Sequence, residues 1–288
     1  TVYRNELSGT LAGLLRVRML SMNDAHIYCT IDQVAQEVGS NVKMVQDYYA
    51  AFGFEDYSFR LSLWDPEKTE KYIDQPENWK KSEDRLRQIM DDLGVDYTES
   101  VGEAAFYGPK VDIQFKTALG REESMSTIQL DFAAKERFGL SYMDENGNQN
   151  DEVLVIHRAP LSTHERFVAF LTEHWMGNFP TWISPTQVQI ITISERHSDY
   201  AGEVASRLKE HKVRVTVDDS DSTIGRKIRT HRKMRPAYML IIGDGEAADG
   251  TVSIRARNGD QRNGVPLEEF IVGVTEEINN RSSKLSLV

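Results

Sequence analysis

Hydrophobic and polar positions change rhythm along the chain. Val42, Val45, Tyr48, Tyr49 and Phe52 recur at helical spacing. This predicts a short helix over 30–38, with Thr30 at its N-cap, continuing past Gly39–Ser40 to Phe52 and ended by Gly53. Residues 57–63 alternate and predict a strand. Residues 65–78 are polar, hold Pro66 and Pro76, and read as a loop. A helix over 79–93 stops at Gly94. Strands follow over 97–99, 111–115, 127–132 and 153–157. A turn at 105–109 and an Asn- and Gly-rich hairpin tip at 144–150 separate them. An amphipathic helix covers 163–176. The expected result is a largely antiparallel sheet with helices packed on it.

After Pro180 and Pro185 the rhythm becomes strand 188–193, helix 199–210, strand 213–217, helix 224–234, strands 238–242 and 251–257, and helix 267–280. Alternating strand and helix predicts a mostly parallel α/β sheet. The division is placed at 1–183 and 184–288, with no internal repeat or low-complexity segment.

Hydrophobic residues make up 40% and charged residues 27% of the 288, enough for sizeable cores. A formal net charge of −11 disfavours a polyanionic partner unless basic residues cluster locally. Cys29 is the one cysteine, so no internal disulfide can form and a reducing, cytoplasmic setting is expected. No apolar run approaches the roughly 18 residues that span a bilayer, and no signal-peptide pattern is present. Tyr3 already lies in a strand motif, the pattern of a fragment.

The stretch from Tyr3 to Cys29 concentrates charge. It reads as strand, loop, strand. Arg4 and Glu6 share a strand face, Arg16 and Arg18 share one on the returning strand, and Asp24 and His26 share one further along. Such a surface could hold a polyanion and a zwitterion together. On spacing alone, an exposed sheet face with cross-strand ion pairs explains it equally well.

The order Arg-x-Glu, Gly-bearing loop, Arg-x-Arg, Asp-Ala-His-Ile resembles the second signature motif of class II aminoacyl-tRNA synthetases. Its tail, Asp24-Ala-His-Ile-Tyr-Cys29, resembles the threonyl branch. The resemblance implies that Arg4 grips the α-phosphate of ATP, Glu6 accepts from the adenine amino group, Arg16 meets the γ-phosphate, and the 8–13 loop faces the 3′ end of tRNA. Residues 156–167 resemble the third class II motif, which implies Arg166 over the adenine and against the γ-phosphate. Ser162 stands where the family usually has Gly.

By the same resemblance His26 and His157 are zinc ligands, the third being a Cys upstream of the second motif. Cys29 lies three residues from His26, so on a strand it faces the other way and reads as a small buried hydrophobe. Asp24 would hold the substrate ammonium. Tyr107, in Phe106-Tyr-Gly-Pro-Lys110, would line the amino-acid pocket with Lys110 nearby. Thr127 and Gln129, in Thr127-Ile-Gln-Leu-Asp131, would touch ATP or the adenylate. Met22 and Ser124 stand where Gln is frequent and are expected to be peripheral.

In the second domain Arg226, Lys227, Arg229, Arg232, Lys233 and Arg235 form a basic cluster in an acidic chain. It reads as a solvated face or as part of the anticodon-binding domain the α/β pattern resembles. That domain implies Glu246 and Arg255 at anticodon bases, where acceptor and donor groups suit unpaired base edges.

The resemblance therefore implies an α+β antiparallel-sheet class II synthetase catalytic domain followed by an α/β anticodon-binding domain. It implies a ligase that makes threonyl-adenylate and charges tRNA(Thr), without a protein nucleophile. Its cofactors would be Zn²⁺, and Mg²⁺ with ATP. Its partners would be ATP, threonine and tRNA(Thr), in a homodimer when full length and with no membrane association. The other reading is a non-catalytic synthetase-like RNA-binding or regulatory protein.

Overall fold

The N-terminal stretch is less regular than its sequence suggests. In the computed structural model, which describes residues 1–117 and 120–288, only β1 (Val2–Tyr3) and β2 (Met19–Leu20) pair, antiparallel. Between them lie a single 3-10 turn at Ser8–Thr10 and an isolated bridge from Ala12 to Arg16. The expected returning strand with Arg16 and Arg18 on one face is not formed. Gly13, in the left-handed region at φ 49°, sits within the turn that interrupts it.

The chain divides into two units, Thr1–His174 and Trp175–Val288. The first continues with β3 (Ala25–Cys29), α1 (Val34–Phe52), β4 (Tyr57–Leu63), α2 (Pro76–Asp92), β5 (Tyr97–Val101), β6 (Lys110–Lys116) and β7 (Glu122–Asp131). It ends with α3 (Ala134–Phe138), the hairpin β8 (Tyr142–Met143) and β9 (Gln149–Asn150), β10 (Leu154–Ala159) and α4 (His164–His174). Six strands form one sheet in the order β3-β10-β7-β6-β4-β5, antiparallel throughout except β4–β5.

The helix α1 begins at Val34 rather than Thr30, because the Thr30 N–H donates to Gln33 Oε1 (3.0 Å) and closes a turn ahead of it. It runs unbroken through Gly39–Ser40 and buries Val34, Val38, Val42, Val45 and Tyr49, so the apolar stripe outweighs the weak propensity of one glycine. The helix α2 starts at Pro76, earlier than expected: proline is pre-shaped for a first helical turn, where its missing N–H costs nothing. Trp79 of α2 is buried, stacks on Trp64 with ring centroids 5.4 Å apart, and donates Nε1–H to Ile73 O (2.8 Å).

The second unit holds β11 (Val188–Thr192), α5 (Ser198–Glu210), β12 (Val215–Asp218), α6 (Ile224–Arg232), β13 (Tyr238–Ile242), α7 (Asp244–Asp249), β14 (Thr251–Ala256), β15 (Gln261–Pro266) and α8 (Leu267–Asn279). Strands β12, β11 and β13 are parallel, and β14 and β15 complete the sheet antiparallel. Neither β15 nor α7 was expected. Only Val265 of β15 is buried, so this edge strand shows no alternation, and α7 is little more than one turn.

The proline-flanked segment 179–185 packs inside this unit. Thr181 Oγ1 donates to Glu277 Oε2 (2.8 Å), and the Arg214 guanidinium donates to the carbonyls of Trp182 and Ser184. Buried Glu277 also accepts from the Tyr238 hydroxyl (2.6 Å), so hydrogen bonds satisfy it without a cation. The helix α6 corrects the basic cluster: Lys227 is 1% exposed, with Nζ donating to Thr192 O at 3.0 Å. That cation belongs to the core and is lost to the surface.

Candidate active site

Between the N-terminal segment and the sheet of the first unit lies a cavity of about 600 Å³. Its walls include Arg4, Glu6, Arg16, Lys110, Thr127, Gln129 and Arg166. The pleat explains the sheet side. Lys110 pairs with Gln129 and Asp112 with Thr127 across β6–β7, and residues two apart on a strand face one way. It also explains why β7 starts earlier than expected: Glu123, Ser124 and Ser126 line the cavity, so the strand carries polar residues where an apolar pattern was sought.

Arg16 Nε lies 3.1 Å from Glu6 Oε2, while Arg18 Nε donates to the Glu6 backbone oxygen (3.0 Å) and is not part of the lining. Arg166 stands in the first turn of α4, its N–H donating to Thr163 Oγ1 (3.2 Å) and its Nη2 2.6 Å from Glu123 Oε2. Its Nε is buried and has no hydrogen-bond partner. Burial lowers the pKa of this guanidinium, Glu123 opposes the shift, and the cations of Arg16 and Arg4 add to it. Arginines that converge on one space and repel one another define a place for an anion.

Asp112, Glu123 and Asp131 each hold a candidate site residue in place, and the sequence reading gave none of them a role. Asp112, 1% exposed, accepts from Ser62 Oγ (2.7 Å), Lys110 Nζ (2.7 Å) and Arg60 Nη2 (3.2 Å). It neutralises and orients Lys110, which lines the cavity, and Arg60, which lies outside it. The signal was present: Lys110, Asp112 and Gln114 alternate with Val111, Ile113 and Phe115, so a polar face had to meet something polar. Met22 and Ser124, expected to be peripheral, both line the cavity.

The two sequence motifs are joined backbone to backbone. His164 N–H donates to Ser21 O (2.9 Å), Asn23 N–H to Ser162 O (3.1 Å), and Ser21 N–H to the Glu165 carboxylate (3.0 Å), which lowers that carboxyl's pKa. Ser162 itself has φ 57°, in the left-handed region. A non-glycine residue there costs on the order of 1–2 kcal/mol. The backbone is thus the one the family's glycine would adopt. We expect Ser162→Gly to raise stability by ~0.5–1 kcal/mol once the extra freedom of unfolded glycine is subtracted. A lower urea midpoint for the variant would contradict this.

A second group adjoins the cavity. The Tyr107 hydroxyl donates a short hydrogen bond to Gln129 Oε1, and its ring lies 5.1 Å from that of His157. Burial, with the Asp131 and Asp24 carboxylates adding to it, pushes the Tyr107 hydroxyl up to about 12. His157 and His26 are cross-strand partners on β10 and β3, with ring centroids 4.4 Å apart, edge to face. His157 Nε2 lies 2.9 Å from Asp131 Oδ2, and the other Asp131 oxygen accepts from the N–H groups of Ala133 and Ala134 (2.8 Å each). A rigid carboxylate therefore sets one imidazole.

Cys29 is buried on β3 and its thiol is pushed up to about 11, first by burial and then by Glu37. Alternation along the strand turns it away from His26. Among the described residues no three His, Cys, Asp or Glu side chains group so as to hold a metal. A substrate-binding zinc site needs three protein donors, and the histidine pair supplies two.

In the second unit Glu246, on α7, accepts from Gly243 N–H (3.0 Å) and from Ser253 Oγ (2.6 Å). Ser253 and Arg255 share the outward face of β14, with Val252, Ile254 and Ala256 in the core. The two residues predicted at anticodon bases thus belong to one surface.

The chain matches the tRNA synthetase class II core domain (G, H, P, S and T) over residues 1–175 and the anticodon binding domain over 187–277. It is 49% identical over 272 residues to threonine–tRNA ligase 1 of Bacillus subtilis, covering 94% of this chain and 42% of that protein. To the threonine–tRNA ligase of Geobacillus kaustophilus it is 46% identical over 286 residues, covering 99% and 44%. The chain therefore spans less than half the length of these curated relatives. The solved RNA binding domain of threonyl-tRNA synthetase from Cryptosporidium parvum superposes with a TM-score of 0.87 at 36% identity, covering 99% of this chain and 70% of that one. A putative threonyl-tRNA synthetase from Aeropyrum pernix gives 0.78 at 27% identity, covering 100% and 69%. The class II core and the anticodon-binding domain, with 46–49% identity to threonine–tRNA ligases over nearly the whole chain, place this chain in the threonyl-tRNA synthetase family.

Proposed function

We propose that the chain forms the ATP- and threonine-binding core and the anticodon-binding domain of a threonine–tRNA ligase. The observation that carries this is the convergence of Arg4, Arg16 and Arg166 on one cavity, with Arg166 Nε buried and unpartnered. Guanidiniums match phosphate oxygens in a planar fork, so Arg4, Arg16 and Arg166 suit a triphosphate. Asp24, Tyr107, Lys110, Thr127 and Gln129 suit the amino acid and the adenylate, and Glu6 the adenine. The threonine carboxylate attacks the α-phosphorus and pyrophosphate leaves. The protein positions the reactants and neutralises charge developing at phosphorus.

Glu6, Asp112 and Glu123 are each engaged by cations, so Mg²⁺ is read as arriving on the nucleotide's own phosphates. For zinc we propose only that His26 and His157 are two of its donors. Exposed Tyr3, Leu7, Leu14 and Met19 on the N-terminal segment support the homodimer. The single buried cysteine supports a reducing, cytoplasmic setting. No described helix is long and apolar enough to cross a membrane.

The test is ATP–pyrophosphate exchange by the full-length protein, expected to depend on threonine. Arg255→Ala should weaken aminoacylation of tRNA and leave exchange unchanged, because it lies on the second unit's outward face. RNA binding without any exchange would favour the non-catalytic reading. Equal loss in both assays for Arg255→Ala would remove the anticodon role.

A further inference from the structure

A cavity that receives a polyphosphate gains no affinity from an anion already seated on one of its cations. Yet Glu123 and Arg166 both line the cavity of the first unit and pair there, Oε2 to Nη2 at 2.6 Å. The carboxylate therefore sits where the arginine would otherwise be open to phosphate.

The other carboxylates of the cavity are built in. Asp112 is buried and accepts from Ser62, Lys110 and Arg60. Glu6 accepts from Arg16 Nε, and its side chain is largely covered. Glu123 differs on both counts. Its side chain is 42% exposed, and Arg166 is the one partner of its carboxylate among the described residues. The contact is also single. Nη2 donates to Oε2, while Nε of the same guanidinium is buried without a partner. The pair thus lacks the two-point fork that makes arginine–oxyanion contacts strong. A half-exposed, one-point ion pair is weak and easily exchanged.

The carboxylate has somewhere to go. Arg121, two residues earlier, lines the same cavity and has no carboxylate within ion-pairing distance among the described residues. Solvent is open to Glu123 as well. Displacing it from Arg166 therefore costs little.

Its presence matters most when the polyphosphate departs. Arg4, Arg16 and Arg166 converge on one space, and Arg4 and Arg16 disfavour the charge of Arg166. Without a counter-anion this cluster would hold pyrophosphate after the reaction by the same contacts that bind the nucleotide. An anion of the protein that reclaims Arg166 weakens that hold at the moment of release.

We propose that Glu123 is a displaceable counter-anion. It occupies Arg166 in the empty site, yields it to the polyphosphate of the nucleotide, and takes it back as pyrophosphate leaves. It lowers affinity for both polyphosphates and speeds departure of the second. Glu123 acts through Arg166 and is a positioning residue. The proposal rests on the ATP reading above.

The experiment measures equilibrium binding of ATP with Mg²⁺, of pyrophosphate and of AMP to the full-length protein. The probes are wild type, Glu123→Gln, Arg166→Ala and the double variant, with urea unfolding to check each fold. Glu123→Gln should bind ATP and pyrophosphate ~3–5-fold more tightly, the range of a partly exposed ion pair. AMP has neither the β- nor the γ-phosphate, and its affinity should stay the same. On the Arg166→Ala background the same substitution should lose most of this gain, because no guanidinium is left to compete for. In pyrophosphate exchange Glu123→Gln should lower KM for ATP and, through slower release, lower kcat modestly as well, a pairing that simple loss of structure does not give. Unchanged polyphosphate affinity in Glu123→Gln overturns the proposal. So does weaker ATP binding that appears only with Mg²⁺, which would make the carboxylate a ligand of the ion. Equal tightening of AMP also overturns it, since a general field and not a displaced partner would then be at work. Wild type binding no ATP is the separate result that overturns the ATP reading and the proposal with it.

Discussion

Gly108→Ala is expected to destabilise the first unit by ~3 kcal/mol or more and to cut threonine-dependent pyrophosphate exchange by ~10²-fold. A Cβ on Gly108 would lie 1.8 Å from the Leu130 carbonyl oxygen and 2.9 Å from its carbon. The atoms it meets are backbone atoms of a central strand, with no flexible side-chain end to give way. The turn cannot simply lift off, because Leu130 N–H donates to Pro109 O at 3.0 Å, one residue beyond the clash. Ordinary overpacking costs ~1–3 kcal/mol, and this case lacks the usual escape by rotamer change. Gly108 does not occupy the left-handed region, so the added methyl tests the close approach alone. Relief must move Tyr107, the neighbouring residue, whose hydroxyl is held by Gln129. A displacement of about 1 Å at a substrate-facing group can cost ~10² in rate. The urea midpoint, with the slope checked for constancy, and the exchange assay read the two effects. A variant within ~1 kcal/mol of wild type with normal exchange would show that the turn relaxes freely, and Gly108 would lose its role in placing Tyr107.

That position shows which parts of the site were open to reading in the sequence. Residues bound to a local pattern were visible. Alternation set Thr127 and Gln129 on one sheet face, and the helical spacing of Val42, Val45, Tyr48, Tyr49 and Phe52 set the main part of α1. Residues whose role depends on distant partners were not. Asp112 matters because Arg60, Ser62 and Lys110 meet at its carboxylate, Glu123 because it faces Arg166, and Asp131 because it holds His157. Each is one carboxylate among the chain's 45, and local alternation, which marks Asp112 as facing something polar, does not name its partners. The N-terminal segment failed in the opposite way. Arg4, Glu6 and Arg16 of its charged residues line one cavity and Arg18 does not, and a regular hairpin was inferred where short-range bridges and side chain-to-backbone bonds hold the chain. In the second unit Lys227 sat in a basic run that looked solvated, and only the fold shows it turned inward to Thr192. Likewise β15 lacks alternation because an edge strand with one buried residue needs none.

Arg166→Ala is expected to lower pyrophosphate exchange by ~10²–10³-fold or more while shifting stability by no more than ~1 kcal/mol. The two expectations separate because of where its partners are. Glu123, its only ion-pair partner among the described residues, has a side chain 42% exposed, so it returns to water when the guanidinium is removed. What the substitution deletes is a cation lining the cavity: its Nε is buried without a partner, and Arg4 and Arg16 lie close enough to disfavour its charge. That repulsion is present in the empty site and is relieved when phosphate charge enters between the arginines. It is relieved further as charge develops in the transition state, so the contribution falls on the rate. Arg166→Lys should recover little, since an ammonium on a flexible stem cannot present the planar fork. Glu123→Gln gives the contrasting case. It keeps the geometry and removes the counter-charge, so it should weaken exchange far less than loss of the arginine. If Arg166→Ala instead unfolded at much lower urea and kept its exchange activity in the folded fraction, the arginine would be a structural partner of Glu123 and the anion pocket would have to be built from Arg4 and Arg16 alone.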